Sequence, residues 1–264
     1  MTALETEERW VECGDARLRV RVLGLYGERD VVMLPSLGRG SHDFDALAER
    51  VALRGYRVIL PEPRGTDGST GQLDGRTLHD FAGDVAAVIE AVCPAPVILI
   101  GHAYGNRVAR TVASDRPPLV ERLVLIAAGG LVPIPEDIVE AMRGSMTSTL
   151  PRAERIAHLN KAFFATGNDA SVWLDGWWPE VAAAQSAAVR ATKVEDWWEA
   201  GGKPIVVLQA SDDAIAPRAN AEDLKRRMGA RVTIVDIAGA GHAMLPEQPE
   251  QIAVAVLNAV RGAP

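Results

Sequence analysis

The stretch most able to do chemistry runs from Val97 to Ala109. It opens on Val97-Ile98-Leu99-Ile100, which is short, apolar and β-branched, as a strand buried on both faces should be. Gly101-His102-Ala103-Tyr104-Gly105 follows, and a helical pattern begins at once beyond it. Glycines two residues either side of a central residue allow a tight strand-to-helix turn, because a Cβ at either place would strike neighbouring backbone. Such a turn pushes the central side chain out above the sheet. A hydroxyl, thiol or carboxylate there could attack a carbonyl carbon. Here the central residue is Ala103, and a methyl group cannot attack anything.

With this turn and the loops below, the chain resembles the α/β-hydrolase superfamily, of the capped serine-hydrolase type, over nearly its whole length. The resemblance makes Ala103 the occupant of the nucleophile position. It assigns the catalytic acid to Gln209-Ala-Ser-Asp212-Asp213-Ala-Ile-Ala-Pro217, with Asp213 four residues before the proline and Asp212 as the second candidate. The general base falls in Gly239-Ala-Gly241-His242-Ala-Met244-Leu-Pro-Glu247. His242 needs a carboxylate to fix its tautomer and stabilise its protonated form, and Asp213 can supply one. The oxyanion-hole donors implied are the N–H groups of Tyr104 and Leu37. Leu37 belongs to Leu34-Pro35-Ser36-Leu37-Gly38, where Pro35 and Ser36 replace the family's His-Gly pair. Ser36 sits on the wrong loop to serve His242 as a displaced nucleophile, and a turn-stabilising hydroxyl is the expected role. Pro61-Glu62-Pro63-Arg64-Gly65-Thr-Asp-Gly68-Ser69 resembles a family segment whose role is mostly structural.

The elements around these motifs agree. Arg9–Cys13 and Arg17–Leu23 read as a hairpin about Gly14-Asp15. Strand-like runs follow at Val31–Leu34, Arg57–Leu60, Val97–Ile100, Leu123–Ile126, Ile205–Leu208 and Val232–Val235, alternating with helical patterns such as Leu78–Val92 and Ile252–Val260. The fold expected is α/β: an eight-stranded, mostly parallel sheet flanked by helices, with a helical cap inserted after the sixth strand. The core is assigned to 1–130 and 201–264 and the cap to 131–200. That excursion carries five of the six tryptophans and two of the four phenylalanines. Cap helices in the resembled superfamily roof the active site. Ser36, His102, Met142, Met146, Phe163, Trp173, Trp177 and Met244 are therefore expected around a substrate. A mainly apolar pocket favours a small, largely apolar carbonyl compound: an ester, a lactone or an activated C–C bond.

Three readings of Ala103 stay open. In one, alanine is native and the Asp213–His242 dyad acts as a base without a covalent intermediate. In the second, the chain is a serine hydrolase or esterase inactivated by an engineered serine-to-alanine change. In the third, the fold is a non-catalytic receptor for a small ligand.

Composition narrows the partners. The 264 residues suit one α/β domain with an insertion. A chain of that size buries roughly 70% or more of its unfolded surface. The 28 basic residues against 35 acidic ones leave a net charge of −7, with no basic field to attract nucleic acid. Cys13 and Cys93 cannot build a disulfide framework or a Cys-x-x-Cys metal site, and read as small buried hydrophobes. His42, His79 and His158 share no ligand spacing, so no metal or other cofactor is expected. The acidic N-terminus does not resemble a signal peptide, and no run is long enough for a bilayer. A cytoplasmic protein, monomeric or homodimeric, is the expectation.

Overall fold

The computed structural model describes residues 4–262. The chain opens with an antiparallel hairpin, β1 (Thr6–Cys13) and β2 (Ala16–Leu23), joined by a two-residue turn in which Gly14 has φ 57°. It continues through β3 (Arg29–Leu34), α1 (Asp45–Ala52), β4 (Tyr56–Pro61), α2 (Leu78–Val92), β5 (Val97–His102), α3 (Tyr104–Asp115) and β6 (Val120–Ile126). Between β6 and the next strand lie α4 (Glu136–Met146), α5 (Arg152–Ala162) and α6 (Pro179–Ala191). The chain then returns through β7 (Ile205–Ala210), α7 (Ala219–Met228), β8 (Val232–Ile237) and α8 (Pro249–Arg261).

The strands form one sheet in the order β1-β2-β4-β3-β5-β6-β7-β8, antiparallel at the β1/β2 and β2/β4 pairs and parallel elsewhere. Alternate side chains of each central strand serve opposite faces. Val32 and Leu34 of β3 pack with α2, α3 and α7, while Val31 and Met33 pack with α1 and α8. Both faces are covered, which is why these strands read as continuous apolar runs. Each strand begins or ends within a few residues of its expected limits, because the burial that shapes the pattern fades only at strand ends.

The aromatic residues after β6 divide in two. Phe163, Phe164 and Trp173 form a separate cluster with Leu159 and Leu174, with Trp177 against it. Trp197 and Trp198 instead join the main core beside α3, sandwiching the fully buried guanidinium of Arg110 at 4.5 and 4.6 Å. The Trp198 indole N–H donates to Asp223 of α7 at 2.9 Å, a polar anchor that draws this pair to the sheet. Cys13 and Cys93 are unpaired and only partly buried, and burial pushes their thiols up to about 11 and about 12. Among the described residues no helix is long and apolar enough to cross a membrane.

Candidate active site

The turn between β5 and α3 is tight because its glycines leave no room for side chains. A Cβ on Gly101 would lie 2.4 Å from the Asn106 nitrogen, and one on Gly105 would lie 2.2 Å from the Leu34 carbonyl oxygen. Ala103, at the apex, is forced to φ 50° and ψ −107°. L residues rarely adopt that conformation. The Ala103 N–H donates to the Ile126 carbonyl at 2.9 Å. The close approach of Gly105 to Leu34 and Pro35 presses the loop after β3 against the elbow, with Leu37 and Tyr104 bordering the same space. Neither the Leu37 nor the Tyr104 N–H has a protein acceptor among the described residues. Tyr104 is the first residue of α3, so its free N–H also carries the positive end of the helix dipole.

The loops after β7 and β8 bring Asp213 and His242 together. His242 Nδ1 lies 2.9 and 3.0 Å from the two Asp213 carboxylate oxygens, and both side chains are buried. Asp213 Oδ1 also accepts from the N–H groups of Ile215 and Ala216, at 2.9 and 2.7 Å. Burial alone would raise the Asp213 pKa. The neighbouring His242 and these N–H donors outweigh it and hold the carboxyl below its ordinary value. A carboxylate so placed takes the Nδ1 proton as its hydrogen bond and leaves Nε2 as the basic nitrogen. Asp212 is exposed and its carboxylate accepts only from the adjacent Ser211 hydroxyl, at 2.5 Å, so it takes no part in the pair.

A cavity of about 170 Å³ opens above Ala103 and His242. Of the residues expected around it, Ser36, Leu37, Tyr104, Met142, Met146, Phe163 and Trp177 line it. Three others do not. His102 is completely buried beneath the loop, with Nε2 at 2.8 Å from the His242 carbonyl oxygen. Burial, and then the proximity of His242, lower its pKa to about 4, so it is a neutral prop for the His242 main chain. Trp173 packs against Phe163 and Phe164 and under the Arg39 guanidinium, 4.8 Å from the ring, which takes it off the wall. Met244, at φ 41°, turns its side chain into the core formed with α1 and α8.

Sequence reasoning missed several contributors. Glu247 is a buried carboxylate that accepts from the N–H groups of Gly241, Met244 and Ala165 and from Asn168 Nδ2, at 2.7–3.0 Å. It clamps the loop carrying His242. Burial raises its pKa in spite of these donors. Gln185 of α6 accepts the Gly38 N–H at 2.8 Å and so fixes the loop after β3. Arg107, Ile134, Ser186, Val189 and Ile215 complete much of the cavity lining. Arg107 alone had a legible signal: it lies four residues beyond Ala103, one helical turn along the same face.

His42, Glu62 and Asp67 bring ligand atoms within 4.8 Å of one another, the one such grouping among the described residues. Asp67 is paired with Arg19 at 2.6 Å, Glu62 accepts both donors of Ser41, and Arg21 stands 3.8 Å from Glu62. Two arginines already neutralise these carboxylates, so the group is an ion-pair network rather than a cation site.

A family model described as "Alpha/beta hydrolase family" matches residues 31–255. The chain is 28% identical over 218 residues to a non-heme chloroperoxidase of Streptomyces lividans, covering 74% of this chain and 78% of that protein. It is 28% identical over 230 residues to a non-heme chloroperoxidase of Burkholderia pyrrocinia, covering 77% and 81% respectively. The structure of an esterase from Exiguobacterium antarcticum superposes with a TM-score of 0.82 at 18% identity, over 97% of this chain and 100% of that one, a likeness of fold. The chain is an enzyme of the alpha/beta hydrolase family.

Proposed function

We propose that His242, oriented by Asp213, is a general base acting directly on a small carbonyl substrate, with the Ala103 methyl as the floor of the pocket. The observation that carries this reading is the buried Asp213–His242 pair bordering a cavity whose apex residue bears no nucleophile. For an ester or lactone, His242 Nε2 takes a proton from water as the water oxygen bonds the carbonyl carbon. The Leu37 and Tyr104 N–H groups hold the resulting oxyanion. The C–O bond to the leaving group then breaks, and the leaving oxygen recovers the proton from His242. The same nitrogen suits abstraction of a proton next to a carbonyl. Within residues 131–200, the segment carrying Met142, Met146, Phe163 and Trp177 acts as the cap over this cavity and supplies part of its wall.

The strained φ and ψ of Ala103 support a second reading, in which serine belongs at the apex and the chain is an esterase lacking its nucleophile. One pair of variants separates the two. With p-nitrophenyl acetate, His242→Ala should lower the parent rate about 10²- to 10⁴-fold under the first reading. Equal rates in parent and variant would sink it. Under the second reading, Ala103→Ser gains rapid turnover and labelling by a fluorophosphonate. No gain and no labelling would remove that alternative.

A further inference from the structure

Arg107 carries information about the substrate that the dyad does not. It lies on the first turn of α3 and lines the cavity with Ala103, His242 and Ser186. Among the described residues no carboxylate lies within ion-pairing distance of its guanidinium and no acceptor takes its protons; it lies over the Trp197 ring, 5.8 Å from the centroid. One turn further along, Arg110 is completely buried and also has no acidic partner. Arg110 Nη2 donates to Asn106 Oδ1 at 2.6 Å and to the Gly129 carbonyl at 2.8 Å, but its Nη1 has no partner. The other two buried arginines are neutralised: Arg39 by Asp43, and Arg64 by Asp84 at 2.6 Å.

Arg110 is withdrawn from water and Arg107, beside it, is partly buried in the cavity wall; guanidinium groups so placed without a counter-charge are costly, since neither can shed its proton in the way a lysine can. Burial depresses both guanidinium pKa values, and no carboxylate opposes it. The cavity lining contains no aspartate or glutamate, so the protein supplies Arg107 with no counter-charge there and leaves that place to a ligand.

We propose that the substrate carries a carboxylate, bound by the Arg107 guanidinium while its reacting carbonyl lies over Ala103 beside His242. The inference rests on reading this cavity as the active site. A single guanidinium fork matches a planar monoanion through two parallel hydrogen bonds. A phosphate dianion would call for more donors than this wall offers. The remaining wall is mostly apolar, with Met142, Met146, Phe163 and Ile215, which suits a compact hydrocarbon or aromatic body between the two polar ends. An apolar cavity of roughly 150 Å³ admits a benzene ring, so an aromatic monoacid is of suitable size.

The test is equilibrium binding without turnover. Calorimetry, or quenching of Trp177, compares benzoate and phenylacetate with their uncharged amides, benzamide and phenylacetamide. The parent should prefer each carboxylate by about ten- to a hundredfold, the range for a hydrogen-bonded charge. Arg107→Gln should bring the pair within about threefold while keeping amide affinity, which shows the fold is intact; Arg107→Lys should retain part of the preference. His242→Ala should retain it fully. Equal affinities in the parent, no binding of either member, or a preference that survives Arg107→Gln would each overturn the proposal. Loss of the preference in His242→Ala alone would assign the anion to the imidazole and overturn it too. These outcomes concern Arg107, whereas unchanged turnover in His242→Ala concerns the base, so the two failures are distinct.

Discussion

Replacing Ala103 with glycine should stabilise the protein, although the change removes a buried methyl group. The residue sits at φ 50° and ψ −107°. With a Cβ, that backbone stores strain of about 1–3 kcal/mol, which glycine does not feel. Two terms oppose the gain. Glycine adds freedom to the unfolded chain, about 0.4–1 kcal/mol. The lost methyl is worth at most about 0.8 kcal/mol. It is worth less here, because one side of it faces the cavity. The net expectation is a gain of about 1 kcal/mol from the middle of these ranges. For a chain of this length that is a rise in melting temperature of about 2 °C. Urea unfolding followed by tryptophan fluorescence would read it. Ala109→Gly is the control, since Ala109 is fully buried within α3 and has no strain to relieve. It should cost about 2 kcal/mol, from helix propensity and the lost methyl together. If Ala103→Gly destabilises as much as Ala109→Gly, the strain argument is wrong. A stabilised variant would mean that the turn is imposed by its surroundings, Gly101 and Gly105 pressed on backbone, and not by its central side chain.

Other substitutions probe the supports of the cavity. Gly105→Ala sets a Cβ 2.2 Å from the Leu34 carbonyl oxygen. It should cost about 4 kcal/mol or more, seen as loss of soluble, cooperatively melting protein. Glu247→Gln keeps the shape but aims an amide N–H₂ at backbone donors. A loss of about 2–4 kcal/mol in urea unfolding is expected, with turnover falling alongside as the His242 loop loosens. Asp213 has a folded pKa below its unfolded value. Its stabilisation is therefore complete above about pH 4 and is lost as pH falls through the folded pKa. Parent and Asp213→Asn should differ in urea midpoint at neutral pH and converge in acid, below the ordinary aspartate range; a constant gap would contradict the pairing.

The strands and the long helices were legible because burial on both faces writes an unmistakable pattern: Val97–Ile100, Ile205–Leu208 and the Leu78–Val92 stripe leave no polar residue where the core needs an apolar one. The elbow was legible because Gly101 and Gly105 answer a steric demand that belongs to the turn itself. The cavity wall was only half legible. Met142, Met146, Phe163 and Trp177 reach it, while Trp173, Met244 and His102 do not, although all seven are residues of a type that suits a pocket. Which way such a side chain turns depends on partners distant in sequence: Arg39 and the two phenylalanines for Trp173, the Glu247 clamp for Met244, the His242 carbonyl for His102.

Short-range spacing by itself determined the α/β architecture, the order of the motifs along the chain and the absence of a hydroxyl at position 103, since each is a property of residues within a few places of one another. Asp213, favoured over Asp212 by its spacing to Pro217, lies against His242 in the structure, while tertiary structure alone decided that Glu247 holds the loop carrying His242. It also decided that Arg107, which its place one turn beyond Ala103 aims at the cavity, stands there without an acid. No local pattern tells which of the twenty-four arginines will pair with a carboxylate. Whether one is left uncompensated depends on every chain segment that folds around it, a sum over long-range neighbours that no local pattern contains.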